Sequence, residues 1–428
     1  MQEDLLHYLW KFKKFDFSKA LTSDNLELSI LDVGSHNYNS GPDFFNAKIE
    51  IEDQLWAGNV EIHIKSSDWY LHRHEKDPNY DNVILHVVWE DDMDIFRKDN
   101  STIPTLELKN IVSPITIQAY NSLLVNGAKK WINCEKDFFR FDDFTFNNWL
   151  ERVYFERLET KSIRILEMLQ KSGNNWEEVL FKLLLKNFGS KVNADAFESL
   201  SNHINFKVLQ KTGDSQFNLE ALLFGQARLL EEKNIQEPYC LGLQKEYSYL
   251  KRKFELDNSL VQTPRFFRLR PDNFPNIRLS QFSDLVANNP RLFSKIIESK
   301  TKENIYELFQ AEASEFWSTH YTFGKTHKHK SKKLTKNFID LIIINTIVPL
   351  KYCYLHSIGE FEEVEVLGII QNLSPESNSV IARFEQLRPK TADSAMRSQA
   401  LLQLKNEYCD KNRCLQCGLG VKLIQGLV

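Results

Sequence analysis

The chain has 428 residues, of which 42% are hydrophobic, 12% aromatic and 26% charged. This content is enough to bury a sizeable core, and it excludes a disordered or low-complexity chain. The formal net charge of −4 arises from 54 basic and 58 acidic residues, so any nucleic-acid partner has to be bound by local basic patches. The N-terminal sequence lacks the basic and apolar regions of a signal peptide, which predicts a cytoplasmic protein.

The predicted elements run from a β-rich N-terminal part to a long helical part. An opening helix is expected from Glu3 to about Lys14. Alternating apolar and polar residues then predict five strands, at Leu28–Val33, Phe45–Ile51, Trp56–Lys65, Val83–Trp89 and Thr105–Leu108. From about Phe146 onward apolar residues recur at three- and four-residue spacing, which indicates helices. The expected fold class is therefore α+β.

Three domains are expected from these changes of pattern, a β-rich one at 1–115 and two helical ones at 116–262 and 263–428. The proline-rich stretch 263–279 should be an irregular connection between the helical domains. The most apolar stretch, Phe338–Leu355, contains Asp340 and Lys351. It is therefore expected to be a buried helix, with no membrane partner. The sequence leaves the oligomeric state open.

Several segments, read together, carry a family resemblance. They are GPDFFNAKIEI from Gly41, GNVEIHIKSSDW from Gly58, HRHEKDPNYDNVILHVVW from His72, LFGQARLL from Leu223, RLRPDNFPNIRLSQ from Arg268 and SQALLQLKNEYCDKNRCLQCGLG from Ser398. In this order they resemble the domain of unknown function 2851 family, found in Bacteroidetes and related bacteria. This resemblance implies no activity, so a function has to be argued from the residues.

A constellation of carboxylates lies in the predicted strands. Asp43 is followed by Glu61, His63 and Lys65, and alternation places the last three on one face of a strand. Carboxylates on neighbouring strands beside a cation are similar to the PD-(D/E)xK nuclease core, a restriction-endonuclease-like sheet. The similarity implies that Asp43 and Glu61 hold Mg²⁺ or Mn²⁺ and that His63 or Lys65 assists the attacking water. It also assigns Glu3 on the opening helix to the additional acid of such folds.

Other interpretations of the same residues stay open. His63 occupies the lysine position of the nuclease core, which favours a non-catalytic binding or assembly protein with a degenerate core. Asp43 and Glu61 can also serve as a turn cap and a solvated strand residue. A third interpretation is a histidine site for zinc or another transition metal with an open position. His63 and His86 should face each other across the sheet; the other two histidines of this candidate site are His72 and His74.

Two basic segments are candidate nucleic-acid contacts. Arg268 and Arg270 alternate with phenylalanines, a composition that suits phosphate binding and base stacking but equally suits a packed connection. The run from Lys325 to Lys336 is strongly basic, as in a solvated loop or a surface that contacts a phosphate backbone. Its members assigned to nucleic-acid binding are Lys328, Lys330, Lys332 and Lys333.

Three cysteines near the C-terminus, Cys409, Cys414 and Cys417, form the pattern C-x4-C-x2-C beside glycines. In a cytoplasmic protein, thiols clustered in this way indicate a structural metal centre, either Zn²⁺ or a [4Fe–4S] cluster. Such a centre needs a fourth ligand, for which Cys134 is the first candidate. The further candidates are Cys240, Cys353 and His356. The alternative is that the thiols are reduced and pack as small hydrophobic residues.

Overall fold

The computed structural model describes residues 2–37, 39–125, 130–231, 235–360 and 363–427. The chain forms two compact units. The first consists of Met1–Trp149, Gln386–Arg388 and Gln403–Val428, and the second of Leu150–Glu385 and Pro389–Leu402. The predicted boundaries after residues 115 and 262 do not coincide with this division, because C-terminal residues return to the unit that contains the N-terminal sheet.

The first unit is built on a mixed sheet of six strands. Its elements in chain order are α1 (Glu3–Lys11), β1 (Leu28–Asp32), β2 (Ser35–His36), β3 (Phe44–Ile51), β4 (Gln54–Lys65), α2 (Asp68–Leu71), β5 (Val83–Glu90) and β6 (Thr105–Glu107). The strand order is β1-β3-β4-β5-β6, with β2 beside β3. Strand β3 pairs antiparallel with β1, β2 and β4, whereas β4–β5 and β5–β6 are parallel pairs. The five predicted strands are present, with ends that differ by at most two residues.

Helix α1 packs on this sheet through its apolar side. Leu5, Leu6 and Leu9 are fully buried in the same core as Val60 of β4 and Leu85 of β5. Their spacing is that of an amphipathic helix, which exposes its polar side while the leucines are removed from water. The packing fixes α1 against β4 and β5.

The remaining elements are mainly helical. In chain order they are α3 (Pro114–Tyr120), α4 (Asp143–Lys171), α5 (Trp176–Phe188), α6 (Ser190–Asn202), α7 (Phe206–Thr212), α8 (Gln216–Gln226), α9 (Pro238–Phe254), α10 (Pro275–Asn288), α11 (Leu292–Glu298), α12 (Lys302–Leu308), β7 (His320–Thr322), β8 (Lys325–Thr326), α13 (Lys336–Ile342), α14 (Val348–Ile358), α15 (Glu363–Gln371), α16 (Ser379–Leu387), α17 (Ala395–Gln403) and α18 (Gly418–Ile424). Short π-helical turns occur at Asn121–Val125, Ile343–Ile347 and Leu404–Cys409. With 53% helix and 12% strand, the protein has the expected α+β class.

Two stretches of the second unit were singled out by the sequence. The expected irregular connection at 263–279 is shorter than predicted, because Pro275 begins α10, a position where proline costs no hydrogen bond. The helical run Lys336–Ile358 is the one among the described residues that is long and apolar enough to cross a membrane, yet 72% of its most apolar window is buried within the protein. Burial of this kind is typical of a core helix, as the polar residues inside the run predicted.

Candidate functional site

Two carboxylates meet where the start of β3 lies opposite the middle of β4. Asp43 directly precedes β3, and the antiparallel register pairs Phe44 with Val60, next to Glu61. The backbone N–H of Asp43 donates to Oε2 of Glu61 (3.2 Å), and the backbone N–H of Ile62 donates to Oδ2 of Asp43 (2.9 Å). Each carboxylate therefore binds the strand that carries the other one, which holds the two acidic groups side by side.

Glu61 is the more buried of the two acids, with 5% of its surface exposed. Burial, reinforced by the negative charge of Asp43, raises the pKa of Glu61 to about 9. A carboxyl group in such a place keeps its proton in the absence of a cation, whereas a cation close by stabilises the carboxylate form.

Helix α1 adds an acid and a histidine to this pair. Glu3 and His7 are one helical turn apart on the same face of α1, and Nε2 of His7 lies 3.3 Å from Oδ2 of Asp43. Burial lowers the pKa of His7, but its contact with Asp43 outweighs burial, so the pKa is raised overall. Burial raises the pKa of Glu3, and the charge of Asp43 raises it further.

Two histidines, one on β4 and one in the turn after α2, contact Glu61, and a third contacts His63. Nε2 of His63 lies 3.5 Å and Nε2 of His74 lies 3.2 Å from Oε1 of Glu61. Nδ1 of His72 lies 3.0 Å from Nε2 of His63, and one nitrogen of each ring is within 4.8 Å of the other two. Arg73 has a left-handed conformation (φ 61°) that turns the chain between His72 and His74. Glu61, His63, His72, His74 and Asp43 are called the histidine–carboxylate site below.

The second nitrogen of His63 is held from the neighbouring strand. Nδ1 of His63 lies 2.8 Å from Nε2 of His86, which is fully buried in β5 and lies opposite Glu61 in the parallel register. Burial lowers the pKa of His63 to about 3 and the pKa of His86 well below its ordinary value. Both rings are therefore neutral. A neutral imidazole with one nitrogen hydrogen-bonded presents its other nitrogen in a fixed direction.

Aromatic rings fix the position of His74. Tyr80 stacks on the His74 ring with centroids 3.8 Å apart, and Trp69 meets the same ring edge-on at 5.4 Å. Trp69 also contacts the ring of His86 edge-on at 5.8 Å. These contacts restrict the rings on both sides of His63, as a pre-organised site requires.

The donor atoms of this site fit a transition-metal ion. A tetrahedral ion bound at about 2.0–2.2 Å separates its ligands by roughly 3.3–3.6 Å. The contacts of Glu61 with His63 (3.5 Å) and His74 (3.2 Å) and of His63 with His72 (3.0 Å) are close to this spacing. Nε2 of His74 is buried, and it faces Oε1 of Glu61 at 3.2 Å without a well-aligned hydrogen bond, as two donors directed at a common ion would do. Because three of the four donors are imidazoles, the set favours an ion such as Zn²⁺ over Mg²⁺.

Lys65, predicted to share a face with the acids, contacts a different carboxylate. Its side chain is half exposed, and Nζ lies 3.8 Å from Oδ2 of Asp92. Strand β4 ends at Lys65, and in the turn beyond it the backbone N–H of Ser67 donates to Asp92 (2.9 Å). The ammonium group of Lys65 thus belongs to this acidic turn.

The basic residues predicted to bind nucleic acid lie in the second unit. Lys330 pairs with Asp272 at 2.7 Å, and Nζ of Lys333 lies 3.8 Å from Glu312. Lys332 is buried, and its amine donates to backbone carbonyls inside the protein. The exposed members of the predicted set are Arg268, Arg270, Lys328, Lys330 and Lys333.

The cysteines singled out by the sequence divide between the two units. The first unit contains Cys134, Cys409, Cys414 and Cys417, called the cysteine site below. The other candidates for the fourth ligand lie in the second unit, and they are Cys240, Cys353 and His356.

Sequence reasoning missed two residues that contact the histidine–carboxylate site, His7 and Tyr80. His7 follows Glu3 by four residues in an amphipathic helix, so assigning Glu3 to the site would have placed His7 on the same face. Tyr80 gives no such signal, because its contact with His74 depends on the path of the irregular segment between α2 and β5.

These features define an α+β protein with a candidate metal centre on its sheet. The chain belongs to the family described as "Protein of unknown function (DUF2851)", whose model matches residues 3–379. The matched range includes the whole histidine–carboxylate site and ends before the three C-terminal cysteines. No curated protein and no solved structure matches the chain.

Proposed function

We propose that the first unit is a metal-dependent hydrolase that cleaves phosphodiester bonds of nucleic acid in the cytoplasm. The observations that support this proposal are the contacts of one carboxylate oxygen of Glu61 with Nε2 of His63 and Nε2 of His74, and the grouping of the His63, His72 and His74 nitrogens within 4.8 Å of one another. Carboxylate and imidazole donors in one cluster are the ligands of hydrolytic metal centres.

The metal and the side chains around it have separate tasks. A divalent metal held by these donors supplies Lewis-acid chemistry, which activates water and neutralises charge on a phosphoryl group. His7 and Asp43 lie 3.3 Å apart, and their side chains are 23% and 22% exposed, so this pair is placed to accept a proton from water and return it. His86 is a positioning residue, because it fixes His63 through the nitrogen that faces away from the site.

Two features support nucleic acid as the substrate class. Asp43 and Glu61 on neighbouring strands, with Glu3 on the adjacent helix, are the arrangement that the PD-(D/E)xK resemblance implies for phosphodiester cleavage. The exposed arginines and lysines of the second unit provide local positive charge on a chain whose net charge is −4. Local charge of this sign binds a phosphate backbone without sequence preference.

A non-catalytic nucleic-acid-binding or assembly protein is the second candidate. The observation that favours it concerns the lysine of the nuclease core. His63 occupies that position and is neutral, and Lys65 pairs with Asp92. In this arrangement neither residue supplies a cation to the attacking water. The same arrangement is expected of a nuclease-like core that binds a metal but does not cleave nucleic acid.

A cleavage assay with matched variants separates the two candidates. Single- and double-stranded DNA and RNA are incubated with the protein and Zn²⁺, Mn²⁺ or Mg²⁺. Glu61→Gln and Asp43→Asn are compared with His203→Ala, which replaces an exposed histidine after α6. We expect metal-dependent cleavage that both acid variants lose and His203→Ala retains. Cleavage untouched in both acid variants contradicts the proposed site, whereas metal binding without cleavage by the folded wild type supports the second candidate.

A further inference from the structure

Four cysteines from two distant parts of the chain come together in the first unit. Cys134 lies between α3 and α4, whereas Cys409, Cys414 and Cys417 lie between α17 and the start of α18. Cys134 and Cys414 pack against the same hydrophobic core, and Nδ2 of Asn133 donates to Sγ of Cys414 at 3.3 Å. Asn133, the chain neighbour of Cys134, also donates to Oδ1 of Asn412 at 3.1 Å, and the N–H of Asn412 donates to the carbonyl of Cys409 at 3.2 Å. These hydrogen bonds bring the segment of Cys134 to the turn that carries the C-terminal cysteines.

The backbone around the C-terminal thiols is shaped to present them together. The π-helical turn Leu404–Cys409 ends at the first of these cysteines, and the N–H of Cys417 donates to the carbonyl of Cys414 at 3.3 Å. A Cβ atom at Gly420 would lie 2.2 Å from that carbonyl oxygen, so glycine is required for α18 to pack on this turn. Single π-helical turns occur frequently at functional sites.

Hydrogen-bond donors lie at the sulfur atoms of two of these cysteines, Cys414 and Cys417. The backbone N–H groups of Leu419 and Gly420 donate to the sulfur of Cys417, and the side chain of Trp149 lies beside the same atom. Donors of this kind stabilise thiolates, the form in which cysteine binds a metal.

The spacing of the sulfur atoms distinguishes between two kinds of metal centre. Four thiolates bound to zinc at about 2.3 Å lie roughly 3.8 Å from one another. Among the described residues, the ligand atoms of three or more His, Cys, Asp or Glu side chains lie within 4.8 Å of one another at His63, His72 and His74 alone. No three of the four described cysteine sulfurs therefore lie within 4.8 Å of one another, whereas a common zinc ion brings them to roughly 3.8 Å. A cubane cluster accommodates a wider spacing, because each thiolate binds a different iron atom.

We propose that Cys134, Cys409, Cys414 and Cys417 ligate a [4Fe–4S] cluster. The cluster connects the C-terminal segment to the segment before α4 inside the first unit, and its role is structural. This assignment does not depend on the proposed hydrolase activity, because its ligands are distinct from those of the histidine–carboxylate site.

Iron and acid-labile sulfide analysis of the full chain purified without oxygen tests the assignment. We expect about four iron and four sulfide per chain, together with visible absorption that dithionite bleaches. Cys134→Ser should lower both contents, whereas Cys353→Ser, which replaces a buried cysteine of the second unit, should leave them unchanged. Folded wild-type protein without iron, or with one zinc ion instead, overturns the cluster. Full cluster content in Cys134→Ser overturns the assignment of the fourth ligand.

A spectroscopic measurement on the wild type covers the case in which the serine variant does not fold. Iron K-edge X-ray absorption reports the atoms bound to iron directly. We expect sulfur ligands together with neighbouring iron atoms. Iron bound mainly by nitrogen or oxygen would overturn the proposal.

Discussion

The histidine–carboxylate site and the cysteine site lie in the same unit but are built differently. In the first, the donors of one strand and the turn after it approach one another at 3.0–3.5 Å, and Asp43 and His72 are accessible to solvent. In the second, the donors come from segments far apart in sequence, and their sulfur atoms are more widely spaced. Catalytic metal centres keep an open side, whereas structural centres are closed by protein ligands. This difference supports the proposals that the first site is catalytic and that the second is structural.

The largest expected effect is on cleavage activity, which should depend on the histidine–carboxylate site and leave the cysteine site unchanged. Glu61→Gln removes the carboxylate that contacts His63 and His74, so we expect phosphodiester cleavage to fall by about 10³-fold. The iron content of the same variant should equal that of the wild type. Comparing kcat/KM with iron content in one preparation checks both points. Loss of iron together with activity would show that the two sites are not independent.

The second effect is on stability. Cys417→Ser removes a ligand of the cysteine site, and we expect the free energy of unfolding to fall by more than about 4 kcal/mol. Urea denaturation of Cys417→Ser, with Cys353→Ser as the matched control, measures this difference. An equal, small decrease in both variants would mean that the four thiols hold no metal centre.

A smaller effect tests the role of His86. His86→Phe keeps a buried ring but removes the hydrogen bond to Nδ1 of His63, so we expect metal affinity to fall by roughly 10–100-fold. Calorimetric titration with Zn²⁺ or Mn²⁺ measures the affinity, and urea denaturation of the metal-free protein controls for general destabilisation. Unchanged affinity would remove His86 from the site.

The smallest effect concerns a buried acid that belongs to neither of the two proposed metal centres. Glu220 in the second unit is fully buried and accepts hydrogen bonds from Ser280 (2.5 Å) and Tyr239. Burial outweighs these bonds and raises the pKa of Glu220 above its ordinary 4.5. The folded state thus holds a proton that the unfolded state loses, so wild-type stability should fall relative to Glu220→Gln as pH rises above 4.5, by at most about 1.4 kcal/mol per pH unit.

Urea denaturation of both proteins at several pH values between 4.5 and 8 checks this sign. Parallel stability profiles would show that Glu220 ionises alike in the folded and unfolded states. A pH-dependent difference without any change in metal content would confine the effect to the second unit.

The sequence predicted the sheet and the pairing of its acids because these depend on local patterns. Alternation and turn residues located the five strands, and strand neighbours brought Asp43 beside Glu61. Alternation did not predict the contact that Lys65 makes, because β4 ends at this residue and the next turn supplies Asp92 as its partner. His72 and His74 converge only because Arg73 adopts a left-handed conformation, which arginine does not signal in a sequence.

Contacts between segments far apart in sequence could not be predicted from local patterns. The spacing of Cys409, Cys414 and Cys417 indicated a metal centre, but Cys134 remained one of several candidates for the fourth ligand. No local pattern reports that the C-terminal segment returns to the N-terminal unit. In the structure, Cys134 and the C-terminal cysteines lie in one unit and the other candidates lie in the second unit, which favours Cys134.

A metal in the histidine–carboxylate site would be located by anomalous diffraction. Crystals of the full chain loaded with Zn²⁺ or Mn²⁺ are measured above and below the absorption edge of that metal. The predicted result is one strong peak about 2.0–2.2 Å from donor atoms of Glu61, His63, His72 and His74. A metal-loaded protein without anomalous density between these four side chains would contradict the proposed metal site.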